Sequence, residues 1–444
     1  MKETTSTDPL GHTNRQSGCD AGPSLDRLID AELPSLLAIY QQLHAMPELS
    51  GQEQKTSALV AQELRSLGYD VTEGIGRYEH HCWPGYGIVA VLQNGAGPTV
   101  LVRADMDALP VEEKTDLPYA SKARATYRDG KEVGVMHACG HDVHVTSLIG
   151  TARLLARLKG SWQGSVVLIG QPGEEGGGGA QAMINDAAYR HCPQPDYALA
   201  LHSTLRLEAG TIGYVPGNFM ASFCELEITV RGVGAHGSAP ECGKDPIVMA
   251  AQLILALQTI VSREKSPFDP AVVSVGSIHG GTASNIIPEE VQLQLSIRTY
   301  DDKLRDRIIA SVERIAKGVA LTAGVAEDRF PTVTLKASHP ANYNDPDLTE
   351  RVACVLKQVL GAERVVRTDP VMVSEDFGAW GLGRRIPTCM LWLGGADPAQ
   401  FRASLHSGVP LPSHHSPLYA PLPEPTIRGG VKAMSAAVLA LLAG

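Results

Sequence analysis

Ser165-Val166-Val167-Leu168-Ile169-Gly170-Gln171-Pro172-Gly173-Glu174-Glu175 is the stretch from which the rest of this chain can be read. Its first six residues are short, β-branched and unpunctuated, the pattern of a parallel strand buried on both faces. Pro172-Gly173 stops the strand, and two carboxylates follow. Adjacent residues point differently, so one can hold a cation while the other moves a proton. Burying both anions is prohibitive unless positive charge sits beside them, and a metal ion supplies it. For these two residues alone, a solvated pair favoured by a helix dipole is the simpler reading. It weakens because other strand ends also carry Asp, Cys/His or His.

Working outward, Pro98–Arg103 is a strand leading into Ala104-Asp105-Met106-Asp107, and Tyr197–Leu201 is a strand ending in His202. Val135 to His144 contains Cys139 and three histidines and opens an amphipathic helix running to about Lys159. Upstream, Leu25–His44 and Thr56–Leu67 have helical spacing, and Gly87–Leu92 is a strand. Strands alternating with helices predict an α/β fold: a mixed, largely parallel sheet covered by helices. Ligands bind such sheets beyond the carboxyl ends of the strands, where these polar clusters fall.

The texture changes near Val215-Pro216-Gly217. Phe223–Arg231 alternates like a half-exposed strand. Helix Asp245–Arg263, strands Ala271–His279 and Val291–Tyr300, and helix Asp301–Leu321 follow, with Phe330–Leu335 as an edge strand. This is a small α+β unit inserted in a larger one. Past Ser338 come helix Asp347–Leu360, strand Thr388–Gly394 and helix Val431–Leu442. The expected division is a disordered N-terminus at 1–22, a larger α/β domain at 23–216 and 332–444, and a smaller inserted domain at 217–331.

The 444 residues are 43% hydrophobic and 19% charged, with net charge −10. With no Lys/Arg run, nucleic acid is not an expected partner. The eight cysteines are scattered without a C-x-x-C, which fits a reducing compartment. The first residues lack an apolar core, and the apolar stretch Ile247–Val261 reads as too short to span a bilayer. The expectation is a cytoplasmic protein with no membrane partner.

Cys139 and His141 are spaced for one bent loop to offer both to one cation, while His141 and His144 share a helix face. Spacing alone leaves His137, His141 and His144 open. Gly232–Gly237 matches G-x-G-x-x-G, but Pro240 and a loop follow where a dinucleotide site needs a helix. The glycines at 176–179 lack a P-loop Lys, and no G-x-S-x-G elbow occurs. A Cys139 nucleophile in a thiol-dependent acyl transferase is an alternative, but it leaves Glu174 and Glu175 unexplained.

Taken in order, the motifs resemble the M20 metallopeptidase family, in its amidohydrolase branch of hippurate hydrolases, auxin-conjugate hydrolases, aminoacylases and related carboxypeptidases. They are Arg103–Pro110, Met136–His144, Gln171–Glu175, Ala200–His202, Gly234–Pro240, Ser284–Pro288, Ser374–Phe377 and His415–Pro417. The resemblance implies a zinc-exopeptidase-like catalytic domain with an inserted lid and dimerisation domain. It assigns Cys139, His141, Glu175, His202 and His415 as ligands of two divalent ions (Zn, or Mn, Co or Ni), supported by Asp105. Glu174 becomes the general base. His236 reaches a substrate oxygen, in the partner subunit of a dimer, and Asn285 and Arg298 hold a substrate carboxylate. The implied reaction is hydrolysis of an N-acyl amino acid or dipeptide-like amide. A non-catalytic binding or regulatory protein on the same scaffold is the other alternative. Three departures stand out: Gly173 where Ala is usual, a longer aromatic loop at Arg77–Tyr86, and a changed ending after His415-Ser416-Pro417.

Overall fold

The structure, a computed structural model, describes residues 25–79 and 81–443. The N-terminus expected to be disordered, 1–22, lies outside the described residues. An eight-stranded sheet forms the larger unit. Its spatial order is Asp70–Ile75, Gly87–Asn94, Gly164–Gln171, Thr99–Asp105, Tyr197–Glu208, Thr388–Ala396, Ile212–Tyr214 and Val365–Arg367. The central four, from Gly164–Gln171 to Thr388–Ala396, are mutually parallel. Antiparallel pairings flank them. The sheet is therefore mixed and largely parallel at its centre. Gly164–Gln171 and Thr99–Asp105 are buried along their whole length. That burial is why their sequences are apolar runs and not alternations.

One face carries the helices Leu25–Ala45, His141–Arg157, Pro346–Leu360 and Pro423–Leu442 over a shared core that includes Leu36, Leu148, Val352 and Val431. The other face buries Phe219, Phe377 and Trp380. The final helix starts at Pro423, eight residues before the expected Val431. Pro423 sits in its first turn, where a missing N–H costs nothing. Gly429 and Gly430 look like helix breakers, yet they serve close packing. A Cβ on Gly429 would stand 2.7 Å from the Gly210 backbone, and one on Gly430 2.6 Å from Ser147 Oγ.

The smaller unit is a four-stranded antiparallel sheet, ordered Ala271–Gly280, Glu290–Thr299, Phe223–Arg231, Thr332–His339. Helices Pro246–Arg263 and Asp302–Ala323 complete its own core around Leu226, Leu253, Leu293 and Ile308. Strand Thr332–His339 pairs with Phe223–Thr229, so a boundary at 331/332 cuts ahead of a strand whose hydrogen bonds belong to this sheet. Helix Pro246–Arg263 is longer than the apolar stretch 247–261, and its length and composition alone would let it cross a membrane. Here Met249, Leu253, Leu257 and Ile260, at helical spacing, are buried on the sheet.

Candidate metal centre

Beyond the carboxyl ends of the parallel strands, four chain segments converge. The first is the turn after Gly164–Gln171. Gly173 adopts φ +67° and caps a short helical turn carrying Glu174 and Glu175. Three acceptors hold this turn by its free N–H groups. Glu53 Oε1 takes Gly173 N at 2.8 Å, and Asp107 takes Glu174 N at 3.1 Å and Glu175 N at 2.9 Å. Ser50 Oγ fixes Asp107 at 2.6 Å.

The second segment is the loop before helix His141–Arg157. Gly140, at φ +78°, turns the chain so that Cys139 and His141 face the same space. The third is strand Tyr197–Glu208. It does not end at His202 but runs on to Glu208. Its last pairing with Thr99–Asp105 is Arg103 with Ala200, so His202 stands two residues past the end of that ladder, while still paired to Trp392 on its other side. The fourth is the C-terminal loop, where His415 takes the left-handed φ of +67° and its N–H bonds Ala138 O at 2.8 Å.

The donor atoms of Cys139, His141 and His202 lie within 4.8 Å of one another, and so do those of Cys139, Glu175 and His415. The two groups share the thiol. Cys139 Sγ is 3.5 Å from His202 Nε2, His415 Nε2 is 3.3 Å from Glu175 Oε1, and His141 Nε2 is 3.8 Å from the same oxygen. Glu174 joins His141 and Glu175 in a further group of the same size.

Hydrogen bonds decide which nitrogens keep a free lone pair. His144 Nε2 accepts Ser203 N–H at 2.7 Å, so its Nδ1–H must donate to Asp105 Oδ1 at 2.5 Å. Both nitrogens of His144 are spent. His202 Nδ1 donates to Ser203 O at 2.9 Å, which leaves Nε2 aimed at Cys139 as an acceptor. His414 Nε2 donates to that same carbonyl at 2.8 Å. By contrast, no aligned hydrogen bond engages either ring nitrogen of His141 or Glu175 Oε1, all three buried, although Asp107, Glu175 and His415 stand at 3.3 to 3.8 Å. Orphaned donor atoms of mixed S, N and O type in one small space fit a borderline divalent cation.

The electrostatics agree. Six acids crowd the site: Asp105, Asp107, Glu174, Glu175, Glu375 and Asp376. Arg103 answers part of that charge. It is fully buried and bonds Asp105, Glu375 and Asp376 at 2.5 to 3.2 Å. Burial, then the charges of Glu375 and Glu175, push the Glu174 carboxyl well above the usual carboxylate range. Burial, then Glu175 and Glu174, push the Cys139 thiol up as well. Burial and the neighbouring His144 and His414 hold His202 neutral, as a ligand must be. Burial would lower His141, but the Asp105 and Asp107 carboxylates outweigh it and raise it to about 10. Without a cation this cluster holds its protons; nearby divalent charge reverses that.

Three expected residues stand apart from the cluster. His236 and Asn285 are exposed neighbours in the smaller unit, where Gly237 N bonds Asn285 O at 2.8 Å and Ser238 Oγ bonds His236 Nδ1 at 2.7 Å. Among the described residues, no hydrogen bond or ion pair joins either to the cluster. Arg298 lies 4.6 Å over the Phe223 ring and donates to Ser374 Oγ, next to Glu375. The sequence left His144 open beside His137 and His141 and placed Asp107 only at a polar strand end, and it assigned nothing to Arg103, Glu53 or Ser203. Of these last three, Arg103 carried a visible signal, as a charge inside an apolar strand.

Residues 101–408 match the model of peptidase family M20/M25/M40. The chain is 40% identical over 342 residues to the hippurate hydrolase of Campylobacter jejuni, covering 77% of this chain and 83% of that protein. It is 37% identical over 345 residues to thermostable carboxypeptidase 1 of Saccharolobus solfataricus, covering 77% and 81%. Among solved structures, a dinuclear metal-binding peptidase of the M20 family from Bacillus subtilis superposes with a TM-score of 0.72 at 26% identity, over 93% of this chain and 99% of that one.

Proposed function

Because the chain belongs to the M20/M25/M40 peptidase family and is a hydrolase of that family, we propose that it cleaves the amide bond of N-acyl amino acids or dipeptide-like substrates bearing a free carboxylate. One observation carries this reading: Cys139, His141, Glu175, His202 and His415 converge in two groups that share one thiol, with Glu174 at their edge. In this reading those five residues hold two divalent ions. Bound there, the ions supply the Lewis acidity that lowers the pKa of water and polarises the scissile carbonyl.

The chain's own groups do the rest. The Glu174 carboxylate, held by the Asp107 clamp on its backbone, takes a proton from the attacking water and returns it to the leaving amine. Arg298, which has no carboxylate partner among the described residues, offers its guanidinium to the substrate's carboxyl end. Asn285 assists it. His236 stabilises the developing oxyanion. Its exposure on the smaller unit supports a role across a homodimer, where one protomer's His236 completes the site of its partner. The Cys139 thiol, held protonated by burial and adjacent carboxylates, is a poor nucleophile in the metal-free state. That disfavours the acyl-transferase reading.

The test is an assay of metal-loaded protein on a panel of N-acyl amino acids and dipeptides, before and after chelation. Cleavage that disappears on chelation and returns with metal supports the proposal. Cleavage that survives chelation would move the chemistry to the thiol. Tight binding without turnover would make the protein a binding module.

A further inference from the structure

Ser203 has no place in the proposed ligand set, yet every polar atom it owns is engaged by a different part of that centre. Its N–H goes to His144 at 2.7 Å. Its carbonyl takes the Nδ1–H of His202 and the Nε2–H of His414. Its hydroxyl lies 3.2 Å from the Cys139 carbonyl and 2.9 Å from the Tyr419 hydroxyl. A carbonyl can only accept, so Ser203 spends its single proton on Cys139. Tyr419 must then donate to Ser203. The order is fixed: Tyr419 O–H to Ser203 Oγ, and Ser203 O–H to Cys139 O.

Both residues are buried, Ser203 at 0% and Tyr419 at 1% exposure, so water does not substitute for a missing partner. The chain has room only because residue 140 is glycine: a Cβ there would stand 2.3 Å from Ser203 Oγ. Tyr419 lies just after His415, Ser203 just after His202, and the accepting carbonyl belongs to Cys139. Three segments that each carry a proposed ligand are thus tied by one directional pair of hydrogen bonds.

We propose that Ser203 and Tyr419 are positioning residues of the metal centre, setting the Cys139 thiol against His202 and anchoring the His415 loop to both. This goes beyond the hydrolase reading. It rests on that reading's metal assignment and is independent of the substrate assigned. Groups that orient ligands in this way typically change metal affinity by about 10–100-fold when removed.

The experiment compares full-length wild type, Ser203→Ala, Tyr419→Phe and the double variant, each loaded with cobalt(II). Cobalt affinity is read by competition with a chelator, the thiolate-to-cobalt charge-transfer band by spectroscopy, and stability by thermal melting. Ser203→Ala orphans both the Cys139 carbonyl and the Tyr419 hydroxyl, so it should weaken cobalt binding by about 10–100-fold and alter the band. Tyr419→Phe keeps the Ser203–Cys139 bond and should lose less, about ten-fold at most, the bottom of the same range. The double variant should bind no worse than Ser203→Ala, because the two losses belong to one chain and do not add. Cobalt affinity of Ser203→Ala within about two-fold of wild type, with an unaltered band, overturns the proposal even if the melting temperature falls. If Ser203→Ala does not fold, Tyr419→Phe decides alone: wild-type affinity and band overturn it, and a weaker, altered site supports it. Wild type that binds no cobalt overturns this proposal and the metal reading together. Wild type that binds cobalt but cleaves no N-acyl amino acid overturns the substrate reading only.

Discussion

At the scale of single residues, Glu174 and Arg298 separate chemistry from architecture. Glu174 contributes no bond that holds the turn, since the turn hangs from Asp107 and Glu53 through backbone N–H groups. Glu174→Gln should therefore keep its metals while losing about 10²–10⁴-fold in rate, the usual contribution of a positioned base. Rate and metal content measured on the same sample check this; a loaded variant with near wild-type turnover would remove Glu174 from the mechanism. Arg298 could have been a lid cation paired with Asp301, but the Asp301 carboxylate caps the following helix by accepting Lys303 N at 2.9 Å. A charge-assisted hydrogen bond is worth about 1.5–3 kcal/mol net. Arg298→Ala should then lower kcat/KM on free-acid substrates by about one to two decades at 1.36 kcal/mol each. The matching amides should change little. Equal losses on acid and amide would mean that the substrate is not anchored by its carboxylate here.

At the scale of elements, His44 couples the first helix to the helix that begins at His141. It sits in the last turn of Leu25–Ala45, with Nδ1 2.7 Å from Asp142 Oδ2 and Nε2 3.0 Å from Glu113 Oε1. Burial would lower its pKa, but the bonds to Asp142 and Glu113 outweigh burial and raise it to about 10. A folded pKa above the unfolded value means the unfolded state loses its proton first. The stabilisation is complete below about pH 6.5, the unfolded histidine value, and disappears as pH rises through the folded value. His44→Asn should therefore be less stable than wild type at pH 7, and the gap should narrow as pH approaches 10. Denaturant midpoints of both proteins across that range test it. A gap that does not change with pH would mean His44 acts by packing alone.

At the scale of the whole molecule, the central sheet closes on an excess of negative charge that it does not neutralise by itself. About two ions per chain are expected when both groups fill, and ions that bind only the folded state stabilise it by mass action. At a thousand-fold excess over the dissociation constant this is about 4 kcal/mol. Chelation should lower the melting temperature and abolish activity, and readdition should restore both. Cys139→Ser should need more metal for the same melting temperature, since a hydroxyl is a far weaker ligand than a thiolate for such ions. If the chelated wild type melts and hydrolyses unchanged while Cys139→Ser is inactive, Cys139 is a nucleophile and the metal reading fails.

The sequence by itself determined the longer elements and their order, because apolar periodicity is a local property, while the marginal strands Asp70–Ile75, Ile212–Tyr214 and Val365–Arg367 were too short or too exposed to show it. Gly164–Gln171 is apolar throughout because it is covered on both faces, and Phe223–Arg231 alternates because one face of its sheet is not. The polar strand ends were legible for the same reason. The tertiary structure alone decided how long Tyr197–Glu208 runs, where the final helix begins, and that the smaller sheet's edge strand runs on from Thr332 to His339. Pairing partners and close helix contacts lie far away in the chain. It alone also decided which imidazole nitrogens are spent. His141 and His144 are equivalent by spacing, but Asp105 and Ser203 consume both nitrogens of His144, across 39 and 59 residues of chain. Likewise His414 turns to the Ser203 carbonyl while the left-handed backbone of His415 sends the next ring toward Glu175. A periodic pattern records which face a residue takes. A hydrogen bond between distant segments leaves no such record, and it is these bonds that leave a donor atom free for a cation.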